Sequence, residues 1–169
     1  MAYIEALEWI FVVKRIHPYV KNSARHQTVG MAKLHMVDTG LACHLLGISK
    51  TQQLLVSSFY GGLLKSFVVM ECFQHMAWAE ESMKIYHFRD KRKNEVDIVL
   101  KQDDGYLTGI EVKASSTIRE ADFSGLRKFA EFTGGKFKNG IILYSGSRVL
   151  PFGGEGKPFF AVPISMLWL

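Results

Sequence analysis

The stretch that most constrains this chain runs from Asn94 to Ser115. Asn94-Glu95-Val96-Asp97-Ile98-Val99-Leu100 and Gly109-Ile110-Glu111-Val112-Lys113-Ala114-Ser115 are two β-rich runs on either side of a polar break, Asp103-Asp104-Gly105. An Asp-Gly turn between such runs predicts an antiparallel hairpin. With the turn centred on Asp104, Asp97 faces Glu111 and Glu95 faces Lys113. Side chains alternate along a strand, so these four share one face, and Val96, Ile98, Leu100, Ile110 and Val112 form the other as core. A one-residue slip in register would undo the arrangement.

Like charges opposed across a ladder destabilise it unless something neutralises them. Two readings fit. A divalent cation held by Asp97 and Glu111 would keep several waters, polarise a phosphate and activate a water. Lys113 would then sit where a cation stabilises developing charge. Alternatively, Glu95 and Lys113 make an ordinary cross-strand pair and Asp97 is solvated.

Length and composition set the frame. At 169 residues the chain can bury one substantial core. A net charge of +5 permits a polyanionic partner without demanding one. Cys43 and Cys72 are too few for a disulfide framework and point to a reducing compartment. The start carries no signal-peptide pattern, and no apolar run reaches the length of a membrane span, so the expected location is cytoplasmic, away from membranes.

Taken in order, Tyr3–Ile16 has a helix-like apolar pattern ending at His17-Pro18, and 19–30 is polar and irregular. Ala32–Val37 predicts a short strand. Asp38 or Thr39 then caps a helix that Gly47 stops. Residues 1–50 are expected to form a helical N-terminal extension and 51–169 an α/β domain. Residues 52–60 continue helically, and a longer helix runs from Gly61-Gly62 to about Glu80, apolar nearly all round and therefore buried on more than one side. Glu71 lies within it. A carboxylate there needs a partner, a solvent channel or a metal. Lys84–Phe88 predicts a strand, and Arg89–Asn94 a basic turn that would attract a nucleic-acid backbone. Arg119–Phe132 predicts a helix, Gly140–Tyr144 a buried strand, 151–157 a glycine-rich loop, and Phe159–Val162 a last extended run.

Several familiar motifs fail on their surroundings. Asp38-Thr39-Gly40 resembles an aspartic-protease tripeptide, yet a helix pattern follows at once, which favours capping. Cys72-x-x-His75 with Cys43-His44 falls within helices and not in the loops that zinc sites use. Neither Gly134-Gly135-Lys136 nor the loop ending in Lys157 is followed by Ser or Thr opening a helix, so the chain has no ATP site of that type.

The order of helix with Glu71, strand, strand with Asp97, strand with Glu111-x-Lys113, helix, strand resembles the PD-(D/E)XK nuclease superfamily. A closer resemblance is to a domain of unknown function that follows the AAA-type ATPase module in bacterial and archaeal ATP-binding proteins. Lys33–Ala42, Gly61–Glu71, Tyr86–Asp90 with Glu95-Val96-Asp97, Ile110–Ser115, Asp122–Leu126 and Pro163-Ile164-Ser165 carry it. The resemblance implies a restriction-endonuclease-like α/β core, a mixed central sheet flanked by helices, with a helical N-terminal extension. It implies a site of Glu71, Asp97, Glu111 and Lys113, with Asp97, Glu111 and Glu71 as ligands to Mg2+ or Mn2+. Lys65 and Ser66 depart from it, standing where relatives usually have Glu-Asn. The ATPase module is absent, which makes the chain either a fragment or a shortened stand-alone protein. Two functions follow: metal-dependent phosphodiester hydrolysis on DNA or RNA, or a non-catalytic accessory module that docks on and regulates an ATPase in cis or in trans. A homo-oligomer is compatible with either. Catalysis needs Asp97 and Glu111 within one metal's reach beside an open cleft, whereas an Arg89–Glu95 bridge closing that cleft favours the accessory role.

Overall fold

The computed structural model describes residues 2–21, 30–153 and 158–168. Its N-terminal part holds α1 (Ala2–Trp9), a ribbon of β1 (Val13–Ile16) and β2 (Lys33–Met36), α2 (Thr39–Leu45) and α3 (Thr51–Val56). There follow α4 (Tyr60–Trp78), β3 (Met83–Arg89), β4 (Glu95–Gln102), β5 (Leu107–Lys113), α5 (Ser124–Thr133), β6 (Phe137–Tyr144), β7 (Leu150–Pro151) and β8 (Phe159–Pro163). A 3-10 segment, Ile164–Trp168, ends the described chain. The fold is α/β, built on a mixed six-stranded sheet in the order β3-β4-β5-β6-β8-β7. β3, β4 and β5 are antiparallel neighbours, β5-β6 and β6-β8 are parallel, and β7 closes the edge antiparallel to β8.

The helices cover opposite faces of this sheet. α5 buries Leu126, Phe129 and Ala130 in a cluster with Phe88, Val96, Val99, Leu107, Phe123 and Phe159. α4 buries Val68, Val69 and Cys72 against Ile98, Ile110, Val112 and Leu143. It also contacts α2, α3 and β2 on its far side, which accounts for its nearly continuous apolar character.

The hairpin forms in the expected register, with Ile98 opposite Ile110 through to Lys101 opposite Leu107. Gly105 takes a φ of 85° in the turn, a conformation that suits a residue without a Cβ. Alternation along β4 breaks, however. Tyr86 of β3 faces Val99 while Phe88 faces Val96, so Asp97 and Ile98 together oppose His87 in a β-bulge. Val96 therefore joins the α5-side core and not the face that holds Ile98, a correction to the simple period-two expectation.

The expected helix Tyr3–Ile16 is also corrected. α1 ends at Trp9, Phe11 takes a φ of 58°, and Val13–Ile16 pairs with β2 as a strand. Its β-branched Val13 and Ile16 suit a strand, and pairing supplies what a helical pattern could not reveal. Of the two expected caps, Asp38 and Thr39, it is Asp38 that caps α2, its Oδ1 accepting from the Leu41 amide at 2.9 Å. The irregular stretch 19–30 and the loop 151–157 lie partly outside the described residues. Tyr19 packs edge-on against both Tyr86 and Phe129.

Gly125 brings the start of α5 onto the β4 backbone, since a Cβ there would collide with the Glu95 carbonyl oxygen. Gly125→Ala is expected to lower stability by about 1–3 kcal/mol, read as a lower urea midpoint at unchanged slope. Gly61→Ala, which meets open space in α4, is expected to be neutral or stabilising.

Candidate functional site

The site begins where β4 and β5 part. Past Ile98 the ladder ends, and the Asp97 side chain takes over, its Oδ2 accepting from the Val112 amide at 3.0 Å. Asp97 is 3% exposed, so the reading of a solvated carboxylate is corrected. A buried carboxylate demands a counter-charge. Lys65, on α4, supplies it with Nζ at 2.7 Å from Oδ1, and Lys33, on β2, adds a second ammonium at 3.7 Å. Burial works against the charged form of Lys65, but the Asp97 charge and hydrogen bond outweigh it and raise its pKa.

Glu95 does not pair with Lys113, because the ladder has ended before either residue. It lies opposite Arg89 on β3, whose Nε is 3.0 Å from Oε1, and Lys33 approaches Oε2 at 3.9 Å. Lys113 instead lies 3.7 Å from Glu111 Oε1. Glu111 Oε2 is buried with no hydrogen-bond partner. Its carboxyl is pushed up to about 7, first by burial and then by the Asp97 charge, against the pull of Lys113, Lys65 and Lys33. Beside Glu111 and Lys113 is a polar opening of about 270 Å³, bordered also by Lys93, Asn94, Asp122 and Ser124.

Asp97, Glu111 and Lys113 are thus neighbours in one electrostatic cluster. Glu71 is engaged elsewhere: its Oε2 accepts from the Trp168 indole at 2.9 Å. Among the described residues, no three His, Cys, Asp or Glu side chains form a group suited to hold a metal. Cys43 and Cys72 are both free, and burial pushes the Cys72 thiol up to about 12.

Lys33, His35 and Ser66 belong to the cluster although sequence reasoning did not select them. Lys33 and His35 alternate along β2 and so share a face. His35 Nδ1 meets Ser66 Oγ at 3.3 Å, and burial, followed by the Lys33 charge, lowers its pKa to about 4. The Lys33–His35 spacing was the available signal, but only the packing of β2 on α4 aims it at Asp97.

Two measurements probe the electrostatics. Lys65→Met is expected to cost about 2–3 kcal/mol, less than a fully buried pair because Lys33 remains and Lys65 is partly solvated. Adding Asp97→Asn should recover part of that loss, read by urea denaturation as a double-mutant cycle. The raised Glu111 pKa means that the folded state holds an extra proton between about pH 4.5 and 7. Stability should therefore fall as pH rises through that window, and Glu111→Gln should flatten the slope in denaturation series.

Among the described residues, no helix is long and apolar enough to cross a membrane. No curated protein and no solved structure matches the chain. A second domain of unknown function, DUF8612, matches residues 1–52. The domain of unknown function DUF4143 matches residues 60–167, which take in α4, the whole six-stranded sheet, α5 and every acidic residue of the cluster. The chain belongs to the DUF4143 family of domains of unknown function.

Proposed function

We propose that this chain is a non-catalytic accessory module on a restriction-endonuclease-like, PD-(D/E)XK core, which docks on and regulates an ATPase partner. The observation that carries the reading is the Lys65 ammonium 2.7 Å from Asp97 Oδ1, where a nuclease of this type would need a divalent cation. With Oδ2 on the Val112 amide, both Asp97 oxygens are engaged. Glu71 is held by Trp168. These residues as arranged do not fit an Mg2+ or Mn2+ centre, which requires free carboxylate oxygens and ordered waters. The Arg89–Glu95 bridge at 3.0 Å lies beside the same cluster and favours the same reading. Docking is supported by the N-terminal part, where Tyr3, Trp9, Phe11, Leu45 and Val56 are each more than 70% exposed. Exposed large apolar side chains are candidates for contact with a partner. The ATPase partner follows from the resemblance.

The second reading is Mg2+-dependent hydrolysis of DNA or RNA, and the orphaned Glu111 oxygen beside an opening that carries Lys93 and Lys113 favours it. Turnover would require Lys65 to leave Asp97. Calorimetry with Mg2+ and Mn2+, with and without DNA, separates the two. The expected result is no saturable binding by the wild type at millimolar metal, and a gain of binding in Lys65→Glu. Saturable wild-type binding that vanishes in Asp97→Ala, accompanied by cleavage of DNA or RNA, would establish the nuclease instead.

A further inference from the structure

The α4-side face of the sheet is only partly covered by α4. Beside it, Ile164 and Leu167 of the 3-10 segment Ile164–Trp168 pack against the same core. Between the two covers is a cavity of about 330 Å³. Its floor is Ile110 and Leu143 of the sheet, and Cys72 of α4 forms one wall, all three buried. Met76, Met83 and Met166 border it further out, and His75 stands exposed at its rim. Protein interiors are close-packed, with few voids larger than a water molecule. A space of this volume, open at one side, instead falls at the lower end of the range of small-molecule sites.

We propose that this cavity binds a small carboxylic acid with an unbranched apolar body. The lining defines the class of ligand. The floor offers no hydrogen-bonding side chain apart from the weakly polar Cys72 thiol, so the body must be apolar. Methionine side chains are flexible and polarizable, which suits a chain of variable shape. His75 is the polar side chain at the rim and can donate to a carboxylate that remains in water. At interior packing density the volume holds a molecule of about ten to fifteen non-hydrogen atoms, the size of a ten-carbon acid.

Besides the packing of Ile164 and Leu167, the cover is tied to α4 through Trp168. Trp168 donates through its indole to Glu71 Oε2 at 2.9 Å and stacks on Phe67 at 5.6 Å between ring centroids. Glu71 and Trp168 hold the 3-10 segment, which supplies Met166 and Leu167 of the lining, against α4, so loosening this tie weakens one wall of the site. This gives Glu71 a role independent of the acidic cluster, and the proposal does not rest on the reading of that cluster.

The test is a titration of the full chain, labelled with 13C at its methionine methyl groups, with decanoate below its micellar concentration. Saturable shifts at Met76, Met83 and Met166, with Met36 on the distant ribbon unmoved, are expected. Val162→Phe, which fills the cavity, should weaken binding at least tenfold, and Met76→Trp serves the same purpose should Val162→Phe fail to fold. Trp168→Ala should accelerate release while keeping the same set of shifted methyls. Absence of saturable shifts in the wild type would overturn the proposal. So would undiminished binding in a folded cavity-filling variant.

Discussion

Burial of Asp97 is the constraint on which the rest of the site depends. A carboxylate with 3% exposure cannot remain ionised without a cation and hydrogen-bond donors. The fold meets that demand from three elements: the Val112 amide of β5, Lys65 of α4 and Lys33 of β2. Those contacts tie the end of the hairpin to the longest helix and to the N-terminal ribbon. The ribbon is therefore joined to the main sheet electrostatically as well as by the apolar seat of Ile16 in the α4-side core.

The β-bulge at Asp97 and Ile98 makes this geometry available. An extra residue on one strand bends it and re-aims its side chains. Here it lets Val96 and Ile98 serve opposite cores, while Asp97 reaches the gap that opens where β4 and β5 separate. Without the bulge Asp97 would be one more member of a regular alternating face. With it, Asp97 leaves the ladder and replaces a strand carbonyl as the acceptor for Val112.

The cluster shows why a fold does not by itself assign chemistry. The acidic pair and lysine that the sequence reading selected are present together on the sheet, yet Asp97 is paired internally with the ammonium groups of Lys65 and Lys33. Glu111 and His35 are left incompletely satisfied, each with a buried atom lacking a hydrogen-bond partner, and the Glu111 carboxyl is pushed up to about 7. Glu71 has been drawn into a different task, fastening the C-terminal segment through Trp168.

Much of the architecture was legible in the chain itself. The Asp-Gly turn and its flanking β-rich runs determined the hairpin and its register, because turn geometry and side-chain alternation are local properties. Asp38 as a cap, the long apolar α4 and the amphipathic α5 were equally local. Tertiary structure decided the rest. Val13–Ile16 became a strand because β2, seventeen residues or more away in sequence, offered a partner. The bulge required a third strand, β3, to reveal two residues opposing one. The pairing of Lys65 with Asp97 spans 32 residues and depends on how α4 crosses the sheet, which no local pattern encodes. Sequence alone named the carboxylates; only packing determined which cation each one would meet, since charge pairing in a folded chain is fixed by distance and burial.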